Sequence, residues 1–424
     1  MSTQNNIATN IRHPLRYLLV GLLCMVSAAA VTTGCGNDDD DSDPGGTDDL
    51  TVTDGSDGTG GQEIVSLAET YEDYFWVGAA IDGNSYKDDH VSLLQKHFNA
   101  VVCENEMKWV SLQPTEGDFT FDLADKMVAF AAENDMPVRG HTLVWHNEDQ
   151  MPGWAFKEEP GSSSAASKEL VLQRMRDHIT TVMTHFKGKV YAWDVVNEVI
   201  VPVNEDGEEM GEDLAGVASW EYRNSKWYQI CGEDYIIGAF RAAREADPDA
   251  KLFYNDYWNY LDGKRAAIID MIEKLQAEDL IDGIGLQCHL NIDVAQEKMD
   301  NQTVYQTVEN LEREIQEYAA LGLDVHITEL DISIYTRDYT SGDESKWYTE
   351  DELNDEYQDK LAARYKAFFD MFRENSDLIS NVTFWGIADD NTWLSEFDSG
   401  RPDHPLLFDK QLEPKKAFFA VTDF

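Results

Sequence analysis

Eight short runs of β-branched, aromatic and small residues recur along the chain, most of them separated by stretches with helical spacing. The runs are Phe75–Ile81, Ala100–Cys103, Pro137–Leu143, Val190–Val196, Lys251–Tyr254, Gly283–Leu286, Val325–Thr328 and Val382–Trp385. Apolar residues recur three and four apart in Ala124–Glu133, Lys168–Phe186, Tyr235–Glu245, Lys264–Ala277, Val304–Ala320 and Asp359–Arg373, whose other faces are acidic. Strands alternating with helices predict parallel βαβ units, and about eight such units close on themselves. A doubly wound open sheet is the alternative, but no G-x-G-x-x-G follows the first run. The expected fold class is α/β: one (β/α)8 (TIM) barrel over residues 64–424, a single catalytic domain.

Barrels of this kind collect their chemistry where the strands end. Glu329 and Asp331 stand in D-V-H-I-T-E-L-D-I, Asp324–Ile332, which otherwise reads as a buried strand. Strand alternation would put Val325, Ile327, Glu329 and Asp331 on one side. The chain has 81 acidic residues and ample surface for them, so a glutamate among buried residues needs a reason. Glu198 closes a second such run, Y-A-W-D-V-V-N-E-V, and we expect the two glutamates to face each other. Other polar or aromatic residues gather at the same ends. They are Glu104, Asn105 and Lys108; His141, Trp145 and His146; Asn197; Asn255 and Asp256; Gln287 and His289; Trp385, Asp389 and Trp393.

A formal charge of −48 leaves no basic surface for DNA or RNA, and it also disfavours a strongly acidic polymer as substrate. Eleven Trp and 18 Tyr supply flat faces suited to a neutral, polyhydroxylated ligand. The five cysteines show neither CxxC nor Cys/His spacing, so no disulfide framework, metal or cofactor is expected.

H-T-L-V-W-H (His141–His146), W-D-V-V-N-E (Trp193–Glu198) and I-T-E-L-D (Ile327–Asp331) closely resemble the motifs of glycoside hydrolase family 10, the endo-β-1,4-xylanases. E-N-E-M-K-W, N-D-Y, G-L-Q-C-H, T-F-W-G-I-A-D-D-N-T-W and P-L-L-F-D match in the family's order, over nearly all of 75–424. The resemblance implies the barrel and a retaining hydrolysis of internal β-1,4 bonds in xylan or xylo-oligosaccharides. It makes Glu198 the acid/base and Glu329 the nucleophile, with carboxyl groups roughly 5–5.5 Å apart. On this reading ionised Glu329 keeps Glu198 protonated in the free enzyme. Asp331 and His289 would orient Glu329, while Asn197 and His141 would contact the sugar beside the cleavage point. Glu104, Asn105 and Lys108 would grip the non-reducing side, and Trp385 and Trp393 would wall the cleft. Trp145, Asn255, Tyr257 and Gln287 are further substrate-binding candidates. The family's Trp-His-x-Gln-x-Pro-x-Trp run is here two residues longer, W-H-N-E-D-Q-M-P-G-W, and Gln150 supplies its glutamine. Trp258 stands where the family usually has Asn. Two other readings remain open: a β-1,4-glucan-active endoglycosidase of the same fold, and a non-catalytic glycan-binding surface lipoprotein.

Residues 1–35 read as a processing segment, with Arg12, His13 and Arg16 before an apolar stretch too short to span a bilayer. Its end, T-T-G-C (Thr32–Cys35), resembles the lipobox of bacterial lipoproteins, whose cysteine is lipidated. Residues 36–63 carry nine Asp, one Glu and no Lys or Arg, the composition of a disordered acidic tether. The expected location is therefore a bacterial membrane, held through Cys35 alone, at the outer membrane and cell surface, with a periplasmic-facing position as the alternative.

Overall fold

The computed structural model describes residues 64–424 except 88, 212–213, 215, 293–296, 300–301, 305, 336–346, 349–352 and 398–399. The signal, lipidation and tether expectations for 1–63 lie outside the described residues.

Eight parallel strands close the barrel: β1 Trp76–Ile81, β2 Ala100–Cys103, β3 Val138–Gly140, β4 Val190–Asn197, β5 Lys251–Asp256, β6 Gly283–Leu286, β7 Asp324–Ser333 and β8 Ile379–Phe384. Neighbours pair in chain order, and β8 closes onto β1 with Val77 opposite Val382. Helices including Asp122–Glu133, Lys168–His185, Asp234–Ala246, Asp262–Gln276, Val308–Ala320 and Asp355–Glu374 follow the strands. Side-chain caps start several of them: Ser167 accepts from Leu170 N, Thr307 from Asn310 N, and Asn354 from Glu356 N and Tyr357 N. The Thr307 cap explains why the helix expected from Val304 begins four residues later.

Val101, Val195, Leu252, Ile284, Val325, Ile327 and Val382 join one apolar cluster with helix residues such as Met127, Ile179, Ile268, Ile315 and Phe368. The lumen is different. Arg139 on β3 reaches His326 on β7, and Asn381 on β8 reaches Tyr191 on β4, contacts between non-neighbouring strands that cross the interior. The lumen therefore holds buried polar groups, which must be hydrogen-bonded to be tolerated.

Two of the register shifts in the sheet lie at or just ahead of the glutamates. β4 shifts register against β5 between Asp194 and Val196, and β7 shifts against β8 between Ile327 and Leu330. The β7 irregularity corrects the simple alternation expected there. Thr328 and Glu329 are adjacent, yet both reach Asn255, while Val325 and Ile327 join the apolar cluster. An extra residue on one strand re-aims the side chains beyond it, which carries Glu329 toward the site. The third strand is also shorter than expected: after Gly140 the chain leaves the sheet, and Val144 returns only as a bridge to Val196.

The chain enters the barrel at the opposite mouth. Ser66 hydroxyl donates to Lys96 O, and Leu67 N donates to Nδ1 of His97, just ahead of β2.

Candidate active site

The C-terminal ends of β4 to β7 bring the two glutamates to one cleft. Glu198 follows β4 directly with φ 57°, a left-handed conformation uncommon for a side chain of this size. Its Oε1 accepts from Gln287 Nε2 at 2.9 Å and Asn197 Nδ2 at 3.1 Å, and its Oε2 from Trp145 Nε1 at 2.9 Å. Arg223 holds the backbone, donating through Nε to Glu198 O at 3.1 Å and through Nη2 to the Tyr257 hydroxyl at 3.0 Å.

Glu329 lies deeper, its side chain 7% exposed against 13% for Glu198. Asn255 Nδ2 donates to Glu329 Oε1 at 2.7 Å, and His289 Nε2 meets Oε2 at 3.1 Å. The other nitrogen of His289 meets Asp331 Oδ2 at 2.9 Å, and Trp393 Nε1 donates to that same oxygen at 2.8 Å. Burial pulls the His289 ring down, but Asp331 and Glu329 outweigh it and raise the ring to about 10. At neutral pH it is a cation clamped between two carboxylates.

A pair of amides joins the two halves. Asn255 Nδ2 also donates to Asn197 Oδ1 at 2.9 Å, while Asn197 donates to Glu198. Asn255 fits because position 285 is glycine: a Cβ there would lie 2.2 Å from Asn255 Oδ1.

Electrostatics correct one expectation. Burial pushes the Glu198 carboxyl up, but His146, the Gln287 and Trp145 donors and Arg223 together hold it below its usual range. Burial holds His146 itself to about 4, so near neutrality its charge is absent and the N–H donors with Arg223 remain. The donors and Arg223 around Glu198 favour its carboxylate, which runs against the expectation that Glu329 keeps it protonated in the free enzyme.

The other candidates divide. Lys108 Nζ donates to Asn105 Oδ1 at 2.8 Å and stands 5.2 Å from the Trp145 ring centroid, and both glutamates act on its charge. Burial raises Glu104 to about 7 although Lys108 opposes it. His141 faces the Trp385 ring at 5.4 Å, and Trp385 packs with Trp393, so these three belong to the cleft. Tyr257 is held firmly: Arg223 takes its hydroxyl, and Lys264 Nζ lies 3.8 Å from its ring centroid. Among the described residues no hydrogen bond links the Gln150 side chain to the site, and its carbonyl accepts from Val110 N. The two extra residues of its run are taken up in a turn closed on Asn147.

Sequence reasoning missed the supports behind the glutamates. Arg223 and the chain Val199 N to Tyr254 hydroxyl to Asp256 to Lys264 brace Glu198, and Asp194 holds His141. A lysine wholly buried against an aspartate, 2.8 Å away, is invisible in a sequence until the fold pairs them.

Comparison with known proteins gives the chain a family. Residues 66–424 match the model of glycosyl hydrolase family 10. A β-1,4-xylanase of Dictyoglomus thermophilum is 43% identical over 368 residues, covering 86% of this chain and 92% of that protein. Endo-1,4-β-xylanase A of Thermoanaerobacterium saccharolyticum is 42% identical over 371 residues, 85% of this chain. The chain spans only 28% of that enzyme's length, and 30–31% of three similar long relatives. The crystal structure of xylanase B from Clostridium stercorarium F9 superposes with a TM-score of 0.74 at 40% identity, covering 85% of this chain and all of that one.

Proposed function

The chain belongs to glycosyl hydrolase family 10, and on that premise we propose that it is a retaining endo-1,4-β-xylanase. One observation carries the reading: Asn197 and Asn255 tie Glu198 and Glu329 into a single hydrogen-bonded unit across one cleft. Two carboxyl groups so placed suit double displacement at an anomeric carbon.

In the first step Glu329 attacks that carbon while Glu198 gives its proton to the departing glycosidic oxygen, leaving a glycosyl ester on Glu329. In the second, Glu198 takes a proton from water, the hydroxyl oxygen bonds the anomeric carbon, and Glu329 leaves as carboxylate. The stereochemistry is retained because two inversions cancel. Cationic His289, backed by Asp331, suits Glu329 to both attack and departure. The donors around Glu198 favour its carboxylate in the free enzyme, so bound substrate has to stabilise its proton. A bound sugar chain excludes water from the carboxyl, which favours the neutral form.

The test is the reducing sugar released from xylan and from carboxymethylcellulose, with the first product's anomer read by NMR. Release from xylan with a β product is expected. A first product of α configuration overturns the retaining mechanism, and release from carboxymethylcellulose alone makes the enzyme a glucanase. Lipidation at Cys35 and attachment to a bacterial membrane belong to the same proposal. They rest on the T-T-G-C segment and are tested by metabolic labelling with a fatty acid in wild type and Cys35→Ala.

A further inference from the structure

A buried guanidinium lies in the lumen beneath the cleft. Arg139, 3% exposed, grips Asp194 with Nε at 3.1 Å and with Nη2, and turns Nη1 to Nδ1 of His326 at 2.7 Å. The Phe253 ring centroid lies 4.5 Å from the guanidinium carbon. Arginine has five donors, no acceptor and a proton it does not lose in proteins. Asp194, held by two arms of that cation, can only accept. Its Oδ2 also meets His141 Nδ1 at 2.9 Å, so that nitrogen must be the donor. A neutral imidazole carries one N–H, and with Nδ1 bearing it, Nε2 keeps its lone pair.

The direction of that lone pair matters because of Lys108. Lys108 and His141 both flank the Trp145 ring, with Lys108 Nζ 5.2 Å and the His141 ring centre 6.3 Å from it. An ammonium can only donate. A sugar hydroxyl between the two would receive from Lys108 and needs somewhere to place its own proton. Were His141 Nε2 also an N–H, two donors would confront one hydroxyl and its proton would go unpaired in a half-buried site.

We propose that Arg139 is a positioning residue which, acting through Asp194, fixes His141 in the Nδ1–H tautomer and so makes its Nε2 an acceptor for a substrate hydroxyl. This rests on the cleft being a sugar-binding site, as proposed above. Arg139 touches no substrate; it sets the polarity of a residue that does.

The experiment is ¹⁵N NMR of histidine-labelled full-length protein, with His141→Asn to assign the ring, alongside kinetics on xylo-oligosaccharides. Expected are an Nδ1–H tautomer in wild type, a tautomer mixture in Arg139→Met, and a fall in kcat/KM of about 30-fold, the size of one lost polar contact in a binding site. Arg139→Lys, which keeps the charge but not the fork, should recover part of both. Should Arg139→Met fail to fold, the near-isosteric Asp194→Asn carries the same test of tautomer and rate. An Nε2–H ring in wild type, or an unchanged tautomer in a folded variant that has lost activity, overturns the proposal. A wild type that shows the Nδ1–H ring yet hydrolyses no xyloside sinks the xylanase reading and leaves the Arg139 assignment standing.

Discussion

The surroundings of Glu198 and Glu329 differ in one respect that matters. Both glutamates stand beside a strand irregularity, both touch the same amide pair, and both are largely buried. Glu329, however, meets a cation, His289, itself held by Asp331. Among the described residues the side chain of Glu198 is hydrogen-bonded by neutral donors, Gln287, Asn197 and Trp145; the Arg223 charge acts on it without such a bond, and His146 is uncharged near neutrality. A neutral N–H favours a carboxylate modestly, by about 1 kcal/mol, whereas a charged partner is worth roughly twice that. A group that must gain and lose a proton in each turnover is better served by weak persuasion. A group that must stay anionic until it bonds carbon is better served by a fixed charge.

The hardest blow to this contrast is Glu329→Ala, which should remove hydrolysis of both xylan and aryl xylosides to background in a colorimetric assay. Glu198→Ala should cost about 10²- to 10⁴-fold on xylan, the usual share of general acid–base catalysis. It should cost much less in the first step on aryl xylosides with acidic leaving groups, which need no proton donor. Equal losses in the two variants on both substrates would falsify the division of roles. Next comes the cation. His289→Gln should lower kcat/KM at pH 7 by roughly 10- to 100-fold, as for a lost charge-assisted hydrogen bond. In wild type the His289 proton is present below about 10, so its help to Glu329 should fade as pH rises through that value. A pH–rate profile locates that limb. The smallest effect is expected from Gln287→Leu, below about tenfold at pH 6. Removing that donor weakens the pull on Glu198, so the alkaline limb set by Glu198 in kcat/KM should move to higher pH. For the wild type the same limb in kcat should lie above that in kcat/KM, since bound sugar desolvates the acid.

The barrel was legible because its eight apolar runs and intervening helical stretches follow local periodicity, which a single sequence displays. The two glutamates were legible for a related reason: each interrupts such a run. The irregularities at 194–196 and 327–330 were not, because a register shift is a relation between two strands and leaves no mark in either alone. Arg139 reads as one charge inside a short strand until β7 brings His326 across the lumen to it. Gln150 was hard to place for the opposite reason. A motif fixes a residue's place only while its spacing holds, and the two added residues here form a turn on Asn147 that no spacing rule foretells.

Ser66 and Leu67 join the barrel at the mouth where the strands begin, whereas both glutamates stand where they end. An altered side chain at that junction therefore lies at the far end of the barrel from the acid pair. A change made there should alter how firmly the first turn is held without touching any group that lines the cleft.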